Sequence, residues 1–440
     1  MAGIRSPRQR TPGVPARAMG EAPPGRPPSG KPRHGARARH RGLRASVIAI
    51  LAVVVLVGGG ITYAWFDLNG KLHKGNVDQW LGSTRPPSST PTSNVKYPGD
   101  PFAGQAVNIL VLGTDSRDGN NGGIANDDPG GSRSDTTFIA HVSADRTRVD
   151  VVSIPRDTWI TIPDCQNAAG HVIDEAGWMH MGFNAAYAYG YYADNSVQGG
   201  AACAIRAAEA MSNVLINAYI VVDFQGFVDV VDAVGGLDVT LLCAVKSSAA
   251  RIDLPKGQVH LDGLTAVGLA RARKGTGLGD GSDLQRIRRQ HAIFDALLAK
   301  VYAMNYVTDF PKLYGLTGSL ISSVTTNLGE NLLSIAGFGY SLKNLKMDAV
   351  TFITIPVADA GDGAHVVISP GRAEGVWTAL RDDKPLPESV IPTPPGSKAT
   401  ESPSGGTTPG GSTSPGASTS NGTSTGKPTA PVIQVPSDCD

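Results

Sequence analysis

The sequence has few cysteines, only four among 440 residues. Cys165, Cys203, Cys243 and Cys439 form no C-x-x-C pair and no metal-type spacing, so structural disulfides are a better interpretation than a metal centre. Four cysteines permit three full pairings. Because Cys165 and Cys203 flank the same insertion-like segment, the sequence favours that pair.

Signatures of several other protein classes are missing. No G-x-S-x-G motif occurs, so a serine hydrolase has no support. The Gly-rich stretch GTGLGDGS, residues 275–282, lacks the Lys-Ser/Thr pair of a P-loop. The net charge is only +1, and no aromatic residues alternate with the arginines of residues 271–289. The sequence therefore predicts no nucleic-acid partner.

Acidic residues are almost missing from residues 1–45, where Glu21 stands alone among eleven Lys or Arg. This segment is predicted to be disordered. Residues 46–66 then carry no charge and match the length of a transmembrane helix. A cleaved signal peptide is the alternative, which the long apolar run and the lack of an A-x-A site disfavour. The excess of Lys and Arg in residues 1–45 predicts that this segment is cytoplasmic and that the chain after Phe66 lies outside the cell membrane.

Large apolar residues are also scarce in two further segments. Residues 67–101 are predicted to form an extracellular linker. Residues 381–440 are a low-complexity Pro/Ser/Thr/Gly tail, predicted to be disordered. One globular domain remains, over residues 102–380.

Within this domain, short apolar runs predict strands of a buried sheet. AVNILVLG, residues 106–113, is a nearly continuous apolar run, as in a strand covered on both faces. Two strands follow at about 136–143 and 148–155, and YIVVDF to LDVTL, residues 219–241, reads as strand, helix and strand. This mixture predicts an α/β fold, a three-layer α/β/α domain with a central mixed sheet.

Charged residues follow the predicted strands. Asp115 comes after the first, Arg133 and Asp135 stand at the entry to the second, and Arg156 and Asp157 follow the third. Each could be a turn residue or a surface ion pair. Two neighbouring carboxylates with room for water and phosphate oxygens favour Mg²⁺ over Zn²⁺, and the flanking arginines favour a bound polyanion.

The stretch LARARKGTGLGDGSDLQRIRRQ, residues 269–290, adds six Lys or Arg. Spacing predicts two groups that each share a face. Arg271 and Arg273 form one, in an extended segment after a helix, and Arg286, Arg289 and Gln290 form the other, on the next helix. Lys274 and Arg288 are predicted to face solvent. A solvated face or lipid head groups could explain the cluster, but arginine is favoured where phosphate is bound through two hydrogen bonds.

Several of these segments together resemble one family. NILVLGTDSR, RSDTTFIAHVSADRTRVDVVSIPRDTW, FNAAYAYG, YIVVDFQGFVDVVDAVGGLDV, HLDGLTAVGLARAR and DLQRIRRQ, in this order, are similar to motifs of LytR-CpsA-Psr cell-wall enzymes. The resemblance spans about Val107 to Leu298 and continues weakly to about Leu380. It implies a membrane-anchored phosphotransferase that moves a polyprenyl-diphosphate-linked glycopolymer onto peptidoglycan. A phosphodiester forms, usually at the C6 hydroxyl of N-acetylmuramic acid, and polyprenyl phosphate leaves.

The same resemblance assigns residues by position. Asp115 and Asp135 match the family's Mg²⁺-associated carboxylates. The matches to its diphosphate-binding groups are Arg133, Arg156, Arg271, Arg273, Arg286 and Gln290, with Arg289 in the same motif. Asp115 and Asp157 are candidate bases for the acceptor hydroxyl.

Two departures from the family pattern stand out. A long polar insertion, residues 119–131, separates Asp115 from Arg133, and a Lys that many relatives carry near Phe183 is missing. Two other functions stay open: a regulatory membrane protein that binds the lipid diphosphate without turnover, and a hydrolase of that lipid. The sequence does not identify the glycopolymer.

Overall fold

A computed structural model of the chain describes residues 67, 69–70, 73–88, 99–115, 132–166, 172–173, 180–304, 324–391 and 433–435. The predicted cytoplasmic segment, the predicted transmembrane helix, Cys439 and the insertion at 119–131 lie outside these residues. Within the described ranges, no helix combines the length and apolar character that a membrane crossing requires.

Eighteen strands are described. They are β1 His73–Lys74, β2 Val107–Thr114, β3 Ser134–Val142, β4 Val149–Ile154, β5 Trp159–Thr161, β6 Cys165–Gln166, β7 Val172–Ile173, β8 His180–Gly182, β9 Ala218–Asp223, β10 Leu237–Leu241, β11 Val245–Ser247, β12 Ile252–Leu254, β13 Gly257–Leu261, β14 Val324–Thr326, β15 Val350–Thr354, β16 Val357–Asp359, β17 Val366–Ile368 and β18 Ile433–Val435.

Seven α-helices are described as well. They are α1 Asn184–Asp194, α2 Val197–Ser212, α3 Phe224–Ala233, α4 Gly263–Arg271, α5 Asp283–Ala303, α6 Leu332–Ser341 and α7 Pro370–Arg381. Short 3₁₀ turns cover Asp78–Trp80, Met347–Ala349 and Glu388–Val390.

The central sheet has seven strands in the order β1-β14-β9-β2-β3-β4-β15. β3 runs antiparallel to both β2 and β4, whereas β9 is parallel to β2 and β15 is parallel to β4. The sheet is therefore mixed, as predicted. Because β2 and β3 are adjacent and antiparallel, the end of β2 and the beginning of β3 lie together at one edge of the sheet.

Alternating side chains of these strands bury both faces of the sheet. On one face, Leu110 and Ile139 pack with α1, α2 and α7 in the largest core. On the other, Ile109 packs with Phe338 of α6, and the ring of Phe138 lies 5.2 Å from that of Phe294 in α5. Helices thus cover both faces, which gives three layers.

A second core forms beside the sheet, between α4, α5 and the strands β10 to β13 that precede α4. β10 pairs antiparallel with β13, and Leu237, Leu261 and Leu269 are fully buried there. This core holds α4 and the middle of α5, through Ala292 and Ile293. It therefore supports both helices that carry the arginines of residues 269–290.

The strands predicted from apolar runs agree with the structure to within two residues at β2 to β4. Two segments differ from their predicted roles. In the predicted linker, Val77, Trp80 and Leu81 are buried in the largest core and β1 joins the sheet edge. In the predicted disordered tail, β18 pairs in parallel with β10. In both segments a few apolar side chains stand among polar ones, and composition alone does not predict that they are ordered.

The disulfide favoured by the sequence is present. Cys165 in β6 and Cys203 in α2 are bonded, with Cα atoms 5.3 Å apart, and both are buried. The bond closes a segment of 38 residues and joins the β5–β8 region to α2.

Replacing both bonded cysteines by serine is expected to lower the free energy of unfolding by about 2–4 kcal/mol, because the unfolded chain regains the entropy of an open loop. Urea unfolding of the purified full-length chain, followed by tryptophan fluorescence, measures this. Equal midpoints for the variant and the wild type would show that the bond contributes no stability.

Candidate active site

A β-bulge sets the position of Asp135. Gly113 pairs with Thr136 and Thr114 pairs with Ser134, which leaves Asp135 outside the register between β2 and β3. A bulge re-aims the side chain of the extra residue. The Asp135 carboxylate consequently sits at the sheet edge instead of alternating into a layer.

Asp115 lies across from this bulge. Its Oδ1 accepts a hydrogen bond of 2.6 Å from the Arg133 amide, and its own amide donates to the Arg133 carbonyl at 3.2 Å. Asp115 and Asp135 therefore stand at one edge of the sheet, on neighbouring strands, as the sequence predicts.

Arg156 and Asp157 follow β4 at the same edge. The Arg156 Nη1 is 2.7 Å from Asp135 Oδ1, and its Nε is 3.3 Å from an oxygen of Asp157. Arg156 thus bridges two carboxylates at the ends of adjacent strands.

A third carboxylate, Asp283, completes this network and was missed from the sequence. Asp283 is the first residue of α5, after the N-cap Ser282, and its Oδ2 accepts from the Arg156 amide at 3.1 Å. It also pairs with Arg286, and with Arg273 at 3.6 Å. An acidic residue directly after a helix-capping serine was the available signal, since first-turn acids face the helix N-terminus.

The two arginines of LARAR reach the same place from α4. Arg271 is the last residue of α4, not part of an extended segment as the sequence suggested, and Ala272 ends the helix. The Arg271 guanidinium carbon lies 4.3 Å from the ring centroid of Phe224. Arg273 Nη2 is 3.4 Å from Asp157 Oδ2.

On α5, Arg286 and Gln290 point to the same side, as their spacing predicts. Arg286 Nη2 donates to the Asp135 carbonyl at 2.8 Å, and Gln290 Nε2 donates to Thr136 Oγ1 at 2.9 Å. Both residues are buried. They tie α5 to the beginning of β3.

We define the arginine mouth as the pocket between these arginines, which opens to solvent and has about 880 Å³ of empty space when its opening is included. Its charged and polar lining is Asp135, Thr136, Arg156, Ser247, Arg271, Arg273, Lys274, Arg286 and Gln290. Lys274, which the spacing predicts to face solvent, is exposed but borders the mouth, whereas Arg288 is exposed and is not part of the lining.

An apolar groove opens from this mouth. It lies between the sheet and helices α3 to α5 and has about 650 Å³ of empty space when its opening to solvent is included. Its walls include Val111, Phe138, Phe227, Ile293 and Phe294. Thr136, Phe224, Arg271 and Gln290 line both spaces. An apolar channel therefore leads directly to a cluster of guanidinium groups.

Opposing charges set the ionisation of the mouth. Burial by itself would raise the pKa of Asp135, but Arg156 and Arg286 outweigh burial and the pKa is lowered. For Asp283, burial outweighs the attraction of Arg286 and raises the pKa. Burial also lowers the pKa of Arg271 and of Arg286, although arginine stays charged at neutral pH.

Two predicted phosphate ligands lie elsewhere. Arg289 is buried, and its guanidinium donates to the carbonyls of Ala272 and Leu278, at 3.1 Å for the latter. It holds the Gly-rich loop instead of lining the mouth. Arg133 is exposed and lines a separate groove with Met181 and Tyr192.

The Gly-rich loop needs its glycines at two close approaches. Gly275 and Gly277 have φ of 145° and 71°. A Cβ there would lie 2.0 Å from the Lys246 carbonyl oxygen or 2.2 Å from that of Ala244. Glycine thus lets the loop follow β11 closely, which places Arg273 at the mouth.

Arg289→Met is expected to lower the free energy of unfolding by about 3 kcal/mol, because buried loop carbonyls lose their donors. Urea unfolding measures this, with the exposed Arg288→Met as the matched control, expected to change stability by less than about 0.5 kcal/mol. Equal effects of the two substitutions would contradict the structural role of Arg289.

The carboxylates at the sheet edge fit one kind of metal. The described residues contain no group of three or more His, Cys, Asp or Glu side chains that could hold a metal ion by themselves. Mg²⁺ commonly binds one or two carboxylates and takes its other ligands from water and substrate phosphates. Asp115 and Asp135, whose lowered pKa keeps it ionised, stand beside the arginine mouth and fit that pattern.

The apolar groove that ends in arginines, on a three-layer α/β domain, fits a phosphorylated amphiphile in shape and charge. The LytR-CpsA-Psr family profile matches residues 82–382, which is more than half of the chain. The protein belongs to the LytR-CpsA-Psr family.

Individual relatives agree with this membership. The cell wall biosynthesis protein LcpA of Corynebacterium glutamicum is 29% identical over 365 residues, with 78% of this chain aligned. The chain covers 66% of that relative's length, just under two thirds. The polyisoprenyl-teichoic acid–peptidoglycan teichoic acid transferase TagU of Oceanobacillus iheyensis is 30% identical, over 64% of this chain and 73% of the relative.

A solved structure supports the fold. The crystal structure of protein gbs0355 from Streptococcus agalactiae superposes with a TM-score of 0.50 at 17% identity, over 65% of this chain and 91% of that one. At this identity, the likeness concerns the fold alone.

Proposed function

We propose that the protein transfers a glycopolymer from a polyprenyl diphosphate carrier to peptidoglycan, forming a phosphodiester. The observation that carries this proposal is the junction of the apolar groove with the arginine mouth through Phe224, Arg271 and Gln290. A lipid diphosphate has the same two parts in the same order. The aromatic walls take the polyprenyl tail and the guanidinium groups take the diphosphate.

The chemistry asks for charge neutralisation and alignment more than for a covalent side chain. Arg156, Arg271, Arg273 and Arg286 supply cationic hydrogen-bond donors to the phosphate oxygens. Arg156 and Arg273 both pair with Asp157. These ion pairs restrict the two side chains, which reduces the entropy cost of binding a substrate.

In the proposed step, an acceptor hydroxyl attacks the phosphorus that carries the glycopolymer. A new O–P bond forms, the bond between that phosphorus and the bridging oxygen breaks, and polyprenyl phosphate leaves with the bridging oxygen. The hydroxyl proton passes to a carboxylate, for which Asp115 and Asp157 are the candidates. Asp157 lies next to Arg156 and Arg273, at the border of the mouth.

We also propose that Asp115 and Asp135 hold Mg²⁺ together with the substrate diphosphate. A bound Mg²⁺ would neutralise charge on the phosphate oxygens. The lowered pKa of Asp135 keeps this carboxylate ionised for the role.

The relatives support the same activity, since TagU is named a transferase from polyisoprenyl-teichoic acid to peptidoglycan and LcpA a cell wall biosynthesis protein. Because the proposed substrate is held in a membrane, we also propose that the protein is anchored in the cell membrane. The apolar residues 46–66 span it once, the N-terminus is cytoplasmic and the catalytic domain lies outside.

The test is to incubate the purified chain with an oligosaccharide on a polyprenyl diphosphate, Mg²⁺ and peptidoglycan fragments, and to identify products by mass spectrometry. A muropeptide carrying the oligosaccharide through a phosphodiester is expected. Free oligosaccharide phosphate without that product would favour a hydrolase. Tight binding of the lipid without any product would favour a regulatory protein.

A further inference from the structure

A second groove lies beside the site, on α1. It is lined by Arg133, Met181, Tyr189, Tyr192 and small alanines of that helix. Ala185, Ala188, Tyr189 and Tyr192 follow an i, i+3, i+4, i+7 spacing, so they form one face of α1. Tyr192 is 61% exposed, whereas Tyr187 on another face is fully buried.

The packing of α1 makes this groove a fixed surface. Gly190 lies so close to α2 that a Cβ would be 2.1 Å from the Gly199 carbonyl oxygen. The Tyr189 hydroxyl donates to Met181 Sδ at 3.3 Å. The backbone of α1 is therefore fixed against α2, and Tyr189 is held by Met181 within the groove.

The groove connects to the reacting centre through Arg133. The amide of Arg133 binds the Asp115 carboxylate, while its exposed side chain lines the groove. Because α1 packs on the Ile139 face of the sheet and the apolar groove contacts the Phe138 face, the two grooves approach the sheet edge from opposite sides.

We propose that this groove binds the acceptor, a peptidoglycan strand, with sugar rings against Tyr189 and Tyr192 and a peptide-stem carboxylate on Arg133. This rests on the proposed transferase function. In an in-line displacement the nucleophile and the leaving group lie on opposite sides of the phosphorus, which matches grooves on opposite sides of the sheet. Aromatic rings offer apolar faces to sugars, and an exposed guanidinium complements a carboxylate. Arg133 is thereby an acceptor-binding residue instead of a diphosphate ligand.

The test measures binding of soluble, uncrosslinked peptidoglycan oligomers to the full-length chain, without donor. Tyr192→Ala is expected to weaken binding about fivefold to tenfold, and Arg133→Gln at least about tenfold. Tyr340→Ala and Arg288→Gln, exposed positions on α6 and α5, are the matched controls and are expected to bind as the wild type does. Affinity for the lipid diphosphate is expected to stay the same in all four variants.

A second arm uses oligomers whose peptide-stem carboxylates are amidated. These are expected to bind wild type and Arg133→Gln equally weakly, since the substitution and the amidation remove the same ion pair. Unchanged acceptor binding in Tyr192→Ala and Arg133→Gln overturns the proposal, as does a loss of affinity confined to the donor.

An error in the proposed acceptor site and an error in the proposed transferase function would give different results. Acceptor binding that depends on Tyr192 but yields no coupled product would refute only the transferase function. Coupled product with an unchanged acceptor KM in both groove variants would refute only the groove.

Discussion

Asp135→Asn is expected to reduce the rate of glycopolymer transfer on the order of a thousandfold, equivalent to several kcal/mol of transition-state stabilisation. The substitution keeps the size of the side chain but removes the charge that the bulge between β2 and β3 aims at the sheet edge. It removes a proposed Mg²⁺ ligand and the partner of Arg156 at once. The measurement is kcat at a series of Mg²⁺ concentrations.

Asp359→Asn is the matched control for this experiment. Asp359 is an exposed carboxylate in β16, and its replacement is expected to change kcat by less than about twofold. If Asp135→Asn and wild type respond to Mg²⁺ with the same midpoint and the same kcat, Asp135 is not a metal ligand.

Arg271→Ala is expected to weaken binding of the lipid diphosphate about a hundredfold, because it removes charge-assisted hydrogen bonds at the point where tail and head group meet. Arg271 stacks on Phe224 and lines both the groove and the mouth. Arg271→Lys is expected to recover only part of the affinity, since an ammonium cannot stack or bind in a bidentate manner. Isothermal titration with a short-chain polyprenyl diphosphate checks both variants.

The exposed Arg288→Ala provides the control, as it removes the same charge from α5 outside the mouth. It is expected to bind the lipid diphosphate within about twofold of wild type at physiological salt, where distant charges are screened. An Arg271→Ala variant that binds as tightly as Arg288→Ala would show that the mouth does not hold the diphosphate.

Much of the fold was predictable because buried strands leave a strong local signal. The apolar run before Asp115 and the strand pair around ADRTR both appear in the sheet at nearly the predicted positions. The sequence does not predict the burial of residues 73–85 or the strand β18. The few apolar side chains there stand among polar ones and show neither helical nor strand periodicity. Their burial depends on distant partners such as β14 and β10.

The site was predictable where spacing determines direction. Arg286 and Gln290, one helical turn apart, do share a face, and both line the mouth. For Arg289 the same spacing rule was wrong, since it predicts a shared face with Arg286 and Gln290, yet Arg289 does not line the mouth. The position of the Arg133 side chain could not be predicted from spacing. A bulge decides where the residues before β3 point, and Arg289 binds loop carbonyls that are brought to it by the tertiary fold.

The sequence does not predict the electrostatic roles either. Asp283 follows a helix-capping serine in the sequence, but in the structure it interacts with Arg156, Arg273 and Arg286. Its raised pKa follows from burial, which a sequence does not report.

In the proposed function, the protein transfers a phosphoryl-linked glycopolymer, bound at the arginine mouth, to a peptidoglycan hydroxyl. The most direct measurement counts the polyprenyl phosphate released against the glycopolymer attached, with and without the acceptor. One polyprenyl phosphate for each phosphodiester formed, with release that depends on the acceptor, is the predicted result. Release at the same rate without acceptor, or release of polyprenyl diphosphate, would contradict it.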